Sequence, residues 1–318
     1  MMPFCKRSPF SHLVFYSLLS IFVLGFNTAV QAQNTPPQDN KIRIRDSHGK
    51  WAFDKPPTRI AVINWTLTEQ LIELDVNPVA IADIPGFKTT SPQTPFSKQQ
   101  NNAIDLGSRF TPNLKKLKDS EPELIIIGYS QRDLLRPLSN IAPVMYFNNF
   151  SRRNNNAEKA DERFLILAKL FNKTEFAKNK LRDRDEQIIA LRQRLERDFR
   201  LEQFANEKPL FTVASLKQNE LWAFSNNSLP EAIVKKLGFS PELIDKPSKL
   251  GTRRLNQTEI DQLNGCLILI NNSDNSLSPS QSSILANSCT FLAKPTNTFG
   301  GAMSQLYLAK SLVKSLTE

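Results

Sequence analysis

The sequence predicts an α/β protein of two lobes with parallel-type sheets, joined by a long connecting helix. Three observations predict it. Between residues 59 and 147 short apolar runs of strand length alternate with segments of helical apolar spacing, the pattern of a parallel sheet with crossover helices. From Asn156 to Arg200 there is neither proline nor glycine, and apolar residues recur at helical spacing. After Pro209 the alternation of strand and helix starts again. A chain of 318 residues is long enough for two such cores.

Taken in order, residues 1–32 read as a secretory signal peptide. Lys6 and Arg7 precede the apolar run Leu13 to Phe26, and Val30-Gln31-Ala32 supplies a small-residue exit before Gln33. That run is shorter than the roughly 20 residues a membrane-spanning helix needs. Cys5 lies before it and no cysteine flanks the cut, so a lipid-modified N-terminus is not expected and the mature chain is expected to be soluble and exported.

After a polar leader, Ile42-Arg-Ile-Arg45, the turn Asp46-Ser-His-Gly-Lys50 and Trp51-Ala-Phe53 predict a β-hairpin. Strands follow at Arg59–Ile63, Pro78–Ala82, Glu123–Ile127 and Val144–Phe147, with helices at Leu67–Leu74, Asn113–Lys118 and Asp133–Ser139. These make a first lobe over residues 41–150. The connector, residues 151–207, carries Ala160, Phe164, Leu167, Ala168 and Phe171, then Leu181, Ile188, Leu191, Leu195 and Phe199, with a break near Asn172. In the second lobe, residues 208–318, strands are expected at Leu210–Ala214, Leu221–Phe224 and Cys266–Ile270. Helices are expected at Pro230–Leu237, Gln257–Leu263 and Gly301–Leu316. Two lobes imply a cleft, where small-molecule sites preferentially form.

Composition removes several classes of function. The 41 basic and 31 acidic residues give a net charge of +10, which permits an acidic partner. Between Lys178 and Glu202, however, eight basic and six acidic residues interleave as on a solvated helix face, so no nucleic-acid partner is expected. Only His12 and His48 are present, which disfavours a multi-histidine metal site. Cys266 and Cys289 read equally as a disulfide or as two buried thiols; a bond would contribute about 3 kcal/mol. Gly128-Tyr-Ser-Gln-Arg132 resembles a nucleophile elbow but lacks its last glycine, and His48 sits in a hairpin turn. A secreted serine hydrolase is therefore a distant alternative, and no enzyme is expected.

The run Arg59-Ile-Ala-Val-Ile-Asn-Trp-Thr-Leu-Thr-Glu-Gln-Leu, then Pro78-Val-Ala-Ile-Ala-Asp83, Asp105-Leu-Gly-Ser-Arg-Phe-Thr-Pro-Asn-Leu114, Pro122-Glu-Leu-Ile-Ile-Ile127 and Ile141-Ala-Pro143 resembles the periplasmic ferric-siderophore-binding proteins of ABC importers, the ferric-hydroxamate binders above all. The likeness is dense from Arg59 to Phe147. In the second lobe it thins to the Phe224-Ser-Asn-Asn-Ser228 segment, Gly251 to Leu263 and the tail from Gly300 to Leu312.

The resemblance implies a monomeric, helical-backbone binder that captures a ferric siderophore between lobes that move little, and delivers it to an inner-membrane ABC permease. Fe(III) arrives inside the ligand, so no intrinsic cofactor and no protein metal ligand is expected. The same fold carrying cobalamin, haem or another metal complex is the nearer alternative.

Arg109 falls on the family's pocket arginine, and its fork of donors suits hydroxamate or carboxylate oxygens. Trp65 ends the first strand of the lobe. Either Tyr129 or Gln131 occupies the place of the pocket tyrosine. Trp222, Asn227 and Phe299 extend the expected ligand set into the second lobe. Where hydroxamate binders carry tryptophans this chain has Thr90 and Leu250, while Lys88, Arg253 and Arg254 add charge. That exchange points to an anionic chelate such as a hydroxycarboxylate. For permease docking the family uses one acidic residue on each lobe; Glu259 matches in the second, and Lys115 stands at the matching place in the first.

Overall fold

Apolar runs form the centre of the first sheet. Ile60, Ala61 and Val62 make β3 (Ile60–Val62), which is buried on both faces, as continuous apolar strands of parallel sheets are. It pairs in parallel with β4 (Ala80–Ile81) and β6 (Leu124–Gly128). With β5 (Ile104–Asp105) and β7 (Val144–Phe147) the order is β5-β4-β3-β6-β7, parallel throughout. The computed structural model describes residues 40–148, 150–198, 210–217, 220–242, 247–270 and 289–317. The expected signal peptide, the end of the connector from Phe199 to Glu207, and Lys208 and Pro209 lie outside the described residues.

The expected hairpin is present as β1 (Ile42–Arg45) and β2 (Lys50–Phe53). Asp46 fixes its turn by accepting from the His48 and Gly49 N–H groups at 2.8 Å, and ties it to β7 by accepting from Tyr146 N at 2.9 Å. In the first lobe α1 (Trp65–Glu73) follows β3, capped by Asn64. Then come α2 (Ile84–Thr90), α3 (Leu114–Asp119) and α4 (Leu135–Ser139).

Two helices make the connector, α5 (Asn156–Leu170) and α6 (Thr174–Asp198). The break falls at Asn172, whose φ of 56° is left-handed and ends a helix at low cost for asparagine. Phe164, Leu167 and Ala177 enter the first lobe's core, whereas Ile188 and Leu195 enter that of the second. One helix thus belongs to both cores. Where it crosses between them, Arg184 is only 2% exposed, its guanidinium held by Asp161 and by the carbonyl of Ala302 at 3.1 Å.

The second sheet has the order β11-β9-β8-β12-β13, from β8 (Leu210–Lys217), β9 (Glu220–Phe224), β11 (Thr252–Arg254), β12 (Cys266–Ile270) and β13 (Thr290–Ala293). A short β10 (Ser240–Pro241) also pairs with β8. The strands β10, β12 and β13 run parallel to β8, but β8-β9-β11 is antiparallel, so the parallel-type expectation holds for half of this sheet. Only two residues separate β8 from β9, enough for a hairpin and far too few for a crossover. The helices are α7 (Leu229–Lys236), α8 (Gln257–Asp261) and α9 (Ser304–Thr317). Cys266 and Cys289 are bonded, with Cα atoms 4.7 Å apart. From Asn40 on, the chain is one compact unit. Among the described residues no helix is long and apolar enough to cross a membrane.

A polar seam stitches α1 to the segment leading into α9. Thr66 Oγ1 donates to the Phe299 carbonyl at 2.7 Å. The fully buried Glu69 carboxyl accepts from the Ser304 N–H at 2.9 Å and from its hydroxyl at 2.6 Å. It therefore caps a helix of the other lobe. Burial pushes its pKa up to about 7 against the pull of these donors. One turn on, Glu73 accepts from the Tyr307 hydroxyl and pairs with Lys180 of α6. The backbones approach so closely that a Cβ on Gly301 would lie 2.6 Å from Cγ of Gln70.

Candidate functional site

The loops at the carboxyl ends of β3, β4 and β5 meet on one edge of the first sheet, the ligand side of parallel sheets. Asp105 joins two of them, its Oδ1 accepting from Asp83 N at 3.1 Å and Gly107 N at 3.0 Å. Gly107 has φ of 69°, which lets the chain turn out toward Arg109. The Arg109 guanidinium then lies over Trp65, Cζ 3.4 Å from a ring centroid, a cation–π pair. Its Nε is 3.9 Å from Oδ2 of Asp83, and the Phe110 ring is 5.3 Å away. Burial pulls its pKa down and Asp83 opposes that; a guanidinium stays charged at neutral pH. Trp65 Nε1 is buried and has no hydrogen-bond partner among the described residues.

An aromatic row crosses from this sheet to the other. Tyr129, just after β6, meets Phe150 edge-on at 6.5 Å, Phe150 meets Phe299 at 6.1 Å, and Phe299 meets Phe224 at the end of β9 at 6.0 Å. The Thr66 bond to the Phe299 carbonyl sets this row beside Trp65. Lys249 of the second lobe places Nζ 4.4 Å from the centroid of the Tyr129 ring and donates to its hydroxyl. Phe110 and Leu250 are 59% and 45% exposed. The arrangement offers aromatic faces with one cation from each lobe, the chemistry of a ligand with an apolar body and anionic oxygens.

Arg109 is brought onto Trp65, and Tyr129 is joined to Phe299 through Phe150. Gln131 is fully buried, its Oε1 accepting from Asn64 Nδ2 at 3.1 Å; of the pair left open by the sequence, Tyr129 is the one with an accessible side chain. Asn227 is buried and donates to the carbonyls of Ser151 and Ser248 at 3.2 and 3.0 Å, which anchors the loop that carries Lys249. Trp222 sits in β9 opposite Ser215 and Arg254.

Each of the three expected cations has a partner within the chain. Arg253 and Arg254 lie in β11 and bond Glu259 at 2.8 Å and Glu220 at 2.6 Å. Lys88 donates to Asn101 at 2.8 Å and lies over Phe96. Glu259 also accepts from Asn256 N in a capping box, and this bond, then Arg253, holds its carboxyl below the usual range. Lys115 pairs with Asp119 one turn along α3. Phe150 and Lys249 escaped sequence reading because each lies in a loop, where no periodicity marks the side that faces the cleft, and Phe224 was read only as the end of a strand, where it is the last residue of β9. Among the described residues no group of three or more His, Cys, Asp or Glu is placed to hold a metal ion.

The chain is 26% identical over 207 residues to the Fe(3+)-citrate-binding protein YfmC of Bacillus subtilis, covering 64% of this chain and 60% of that one. It is 24% identical over 183 residues to the iron(3+)-hydroxamate-binding protein FhuD of Escherichia coli, covering 58% of each. These matches span about 60% of either relative's length. The crystal structure of the siderophore-binding protein FhuD from Vibrio cholerae, bound to Fe3+-Desferal, superposes with a TM-score of 0.74 at 27% identity, covering 82% of this chain and 98% of that one. A two-lobed architecture with a row of aromatic contacts from one sheet to the other thus accompanies a match to one family over residues 60–288, and the chain belongs to that family, the periplasmic binding proteins.

Proposed function

We propose that this protein binds a ferric siderophore in the cleft bounded by Trp65, Arg109, Tyr129, Phe150 and Phe299, and passes it to an inner-membrane ABC permease. The observation that carries the reading is the Arg109 guanidinium over Trp65 beside an aromatic row that spans both sheets. Arg109 supplies forked donors to the chelate's oxygens, and the rings cover its apolar body. The ligand brings its own oxygen donors to Fe(III), which is cargo here. Relatives named for binding Fe(3+)-citrate and iron(3+)-hydroxamate support this cargo class.

An anionic chelate is favoured within that class, and the reading rests on Arg109 and Lys249 in place of Arg253, Arg254 and Lys88. Docking through Glu259 and Lys115 remains part of the proposal. Charge reversal tests it: Glu259→Lys weakens association with the permease in lipid discs, and Lys115→Glu weakens it only if the permease presents an acid there.

Titration of tryptophan fluorescence with ferric citrate, a ferric trihydroxamate, cobalamin and haem tests the cargo. Saturable quenching by a ferric chelate, lost in Trp65→Phe, is expected. Binding of cobalamin or haem with no response to any ferric chelate would overturn it, as would ester hydrolysis by the purified protein.

A further inference from the structure

Arg163, two turns into α5, is a buried cation without a counter-ion. It is only 7% exposed, yet among the described residues its Nε has no hydrogen-bond partner and its guanidinium forms no ion pair. The neighbouring carboxylates have partners of their own. Asp161 accepts from Arg184 at 2.9 Å and from Gln305 at 2.8 Å, and Glu162 pairs with Lys159. Burial pulls the Arg163 pKa down to about 10, opposed by Glu162 and Asp161, so the group stays charged at neutral pH. A charge held out of water and left unpaired is costly. Arg184, likewise buried in the connector, is instead surrounded by Asp161, Asp185 and the Ala302 carbonyl.

Arg163 borders two concavities. The one it shares with Phe150, Asn156 and Phe299 offers about 10 Å³, room for a single water. The other offers about 440 Å³ and is bounded by the hairpin turn, the end of β7 and the loop leading into α5, a volume within the range of small-molecule sites. Its lining is rich in donors. Ser47 Oγ accepts from Asn148 N at 2.7 Å and Ser151 Oγ from Arg153 N at 3.2 Å, which leaves each hydroxyl its own proton to give. Among the described residues neither hydroxyl donates, and the Asn154 side-chain amide makes no hydrogen bond. The two carboxylates in the lining are committed, Asp46 to the N–H groups of His48, Gly49 and Tyr146, and Glu162 to Lys159.

We propose that this larger concavity binds a small, soluble, polar oxyanion, a carboxylate or a phosphate. Arg163 takes the charge in a forked, charge-assisted contact, and Ser47, Ser151 and Asn154 donate to the rest of the molecule. The site is separate from the cleft that holds the chelate and stands whether or not that reading does.

The probes are inorganic phosphate and iron-free malate, each added at constant ionic strength against chloride. Either anion is expected to shift the Arg163 Nε–H resonance saturably at millimolar concentration, that resonance being assigned by its loss in Arg163→Lys, and to raise the urea midpoint in parallel. The anion that binds more tightly names the oxyanion. Arg163→Met replaces an unpaired buried charge by an apolar chain and should fold, with calorimetric affinity about tenfold lower or less. Arg163→Lys, which keeps the charge without the fork, loses less. Arg109→Ala and saturation with a ferric trihydroxamate should leave the affinity within about twofold, since neither touches this concavity. A resonance unmoved by both anions, or equal affinity in Arg163→Met and wild type, would overturn the proposal. Competition from the ferric trihydroxamate, or loss of anion binding in Arg109→Ala, would also overturn it, by assigning Arg163 to the cleft. So would phosphatidylglycerol vesicles displacing both soluble anions, which would make the ligand a lipid headgroup.

Discussion

In the proposed site Arg109 would supply charge through a side chain that costs the fold little to lose, since it is only half-buried and its carboxylate neighbour is 3.9 Å away. Loss of its charge-assisted bonds is worth about 1.5 to 3 kcal/mol, so Arg109→Ala should weaken ferric-chelate binding roughly 10- to 150-fold with the melting temperature unchanged. Fluorescence titration reads this directly, and an unchanged dissociation constant would remove Arg109 from the site. Lys249→Ala should discriminate between cargoes. It weakens a chelate with free carboxylates about tenfold and leaves a neutral trihydroxamate within twofold, the gap closing as salt screens the charge. Arg109 was singled out in the sequence through the likeness of the Gly-Ser-Arg-Phe-Thr-Pro-Asn run to the family's loop after a strand. Lys249 was not, because its approach to Tyr129 depends on Asn227 bonding the Ser248 carbonyl, a tie between loops with no local signature.

Elements follow the same division. The strands β3, β6 and β12 were read correctly because burial on both faces makes them uninterrupted apolar runs. The edge strand β11 was missed because it is Thr-Arg-Arg, charged as edges are, and α2 because Pro85-Gly86 disguises a helix whose proline sits in its tolerated first turn. At this scale the two buried helix carboxyls set a pH dependence. Burial raises Glu69 to about 7 and, in α7, Glu231 to about 8. A carboxyl whose folded pKa exceeds its unfolded value stabilises fully below the unfolded value, near 4.5, and the gain is lost as pH rises through the folded one. Urea midpoints should therefore fall from pH 5 to pH 8 more steeply in the wild type than in Glu69→Gln with Glu231→Gln. Parallel profiles would show that neither folded carboxyl holds its proton above pH 5.

For the whole molecule, the seam of Thr66, Glu69 and Glu73 against Phe299, Ser304 and Tyr307, together with a helix shared by both cores, resists hinge motion. Saturation with ligand should leave the radius of gyration from solution scattering unchanged within error; a clear contraction would mean that the seam opens. The disulfide joins β12 to the residue before β13, and its removal by Cys266→Ser with Cys289→Ser should cost about 3 kcal/mol in urea unfolding while the ligand affinity persists. The two-lobe plan was legible from the alternation of elements on either side of a proline-free connector. The seam was not, because its partners are far apart in the sequence and polar on both sides.

That seam also orders assembly in time. Glu69 lies in the first helix of the first lobe, and the donors that satisfy it at Ser304 come 235 residues later, at the start of the last helix. A chain emerging N-terminus first holds this carboxyl hydrated until nearly all of its length is available, with the face of α1 that bears Thr66 and Glu73 open to water in the meantime. Long-range closure of this kind is slow, and it comes from the far end of the chain. The two lobes are therefore finished by one late event, and a chain that stops short of Ser304 leaves its first lobe with an acid poised for burial and nothing to bury it against.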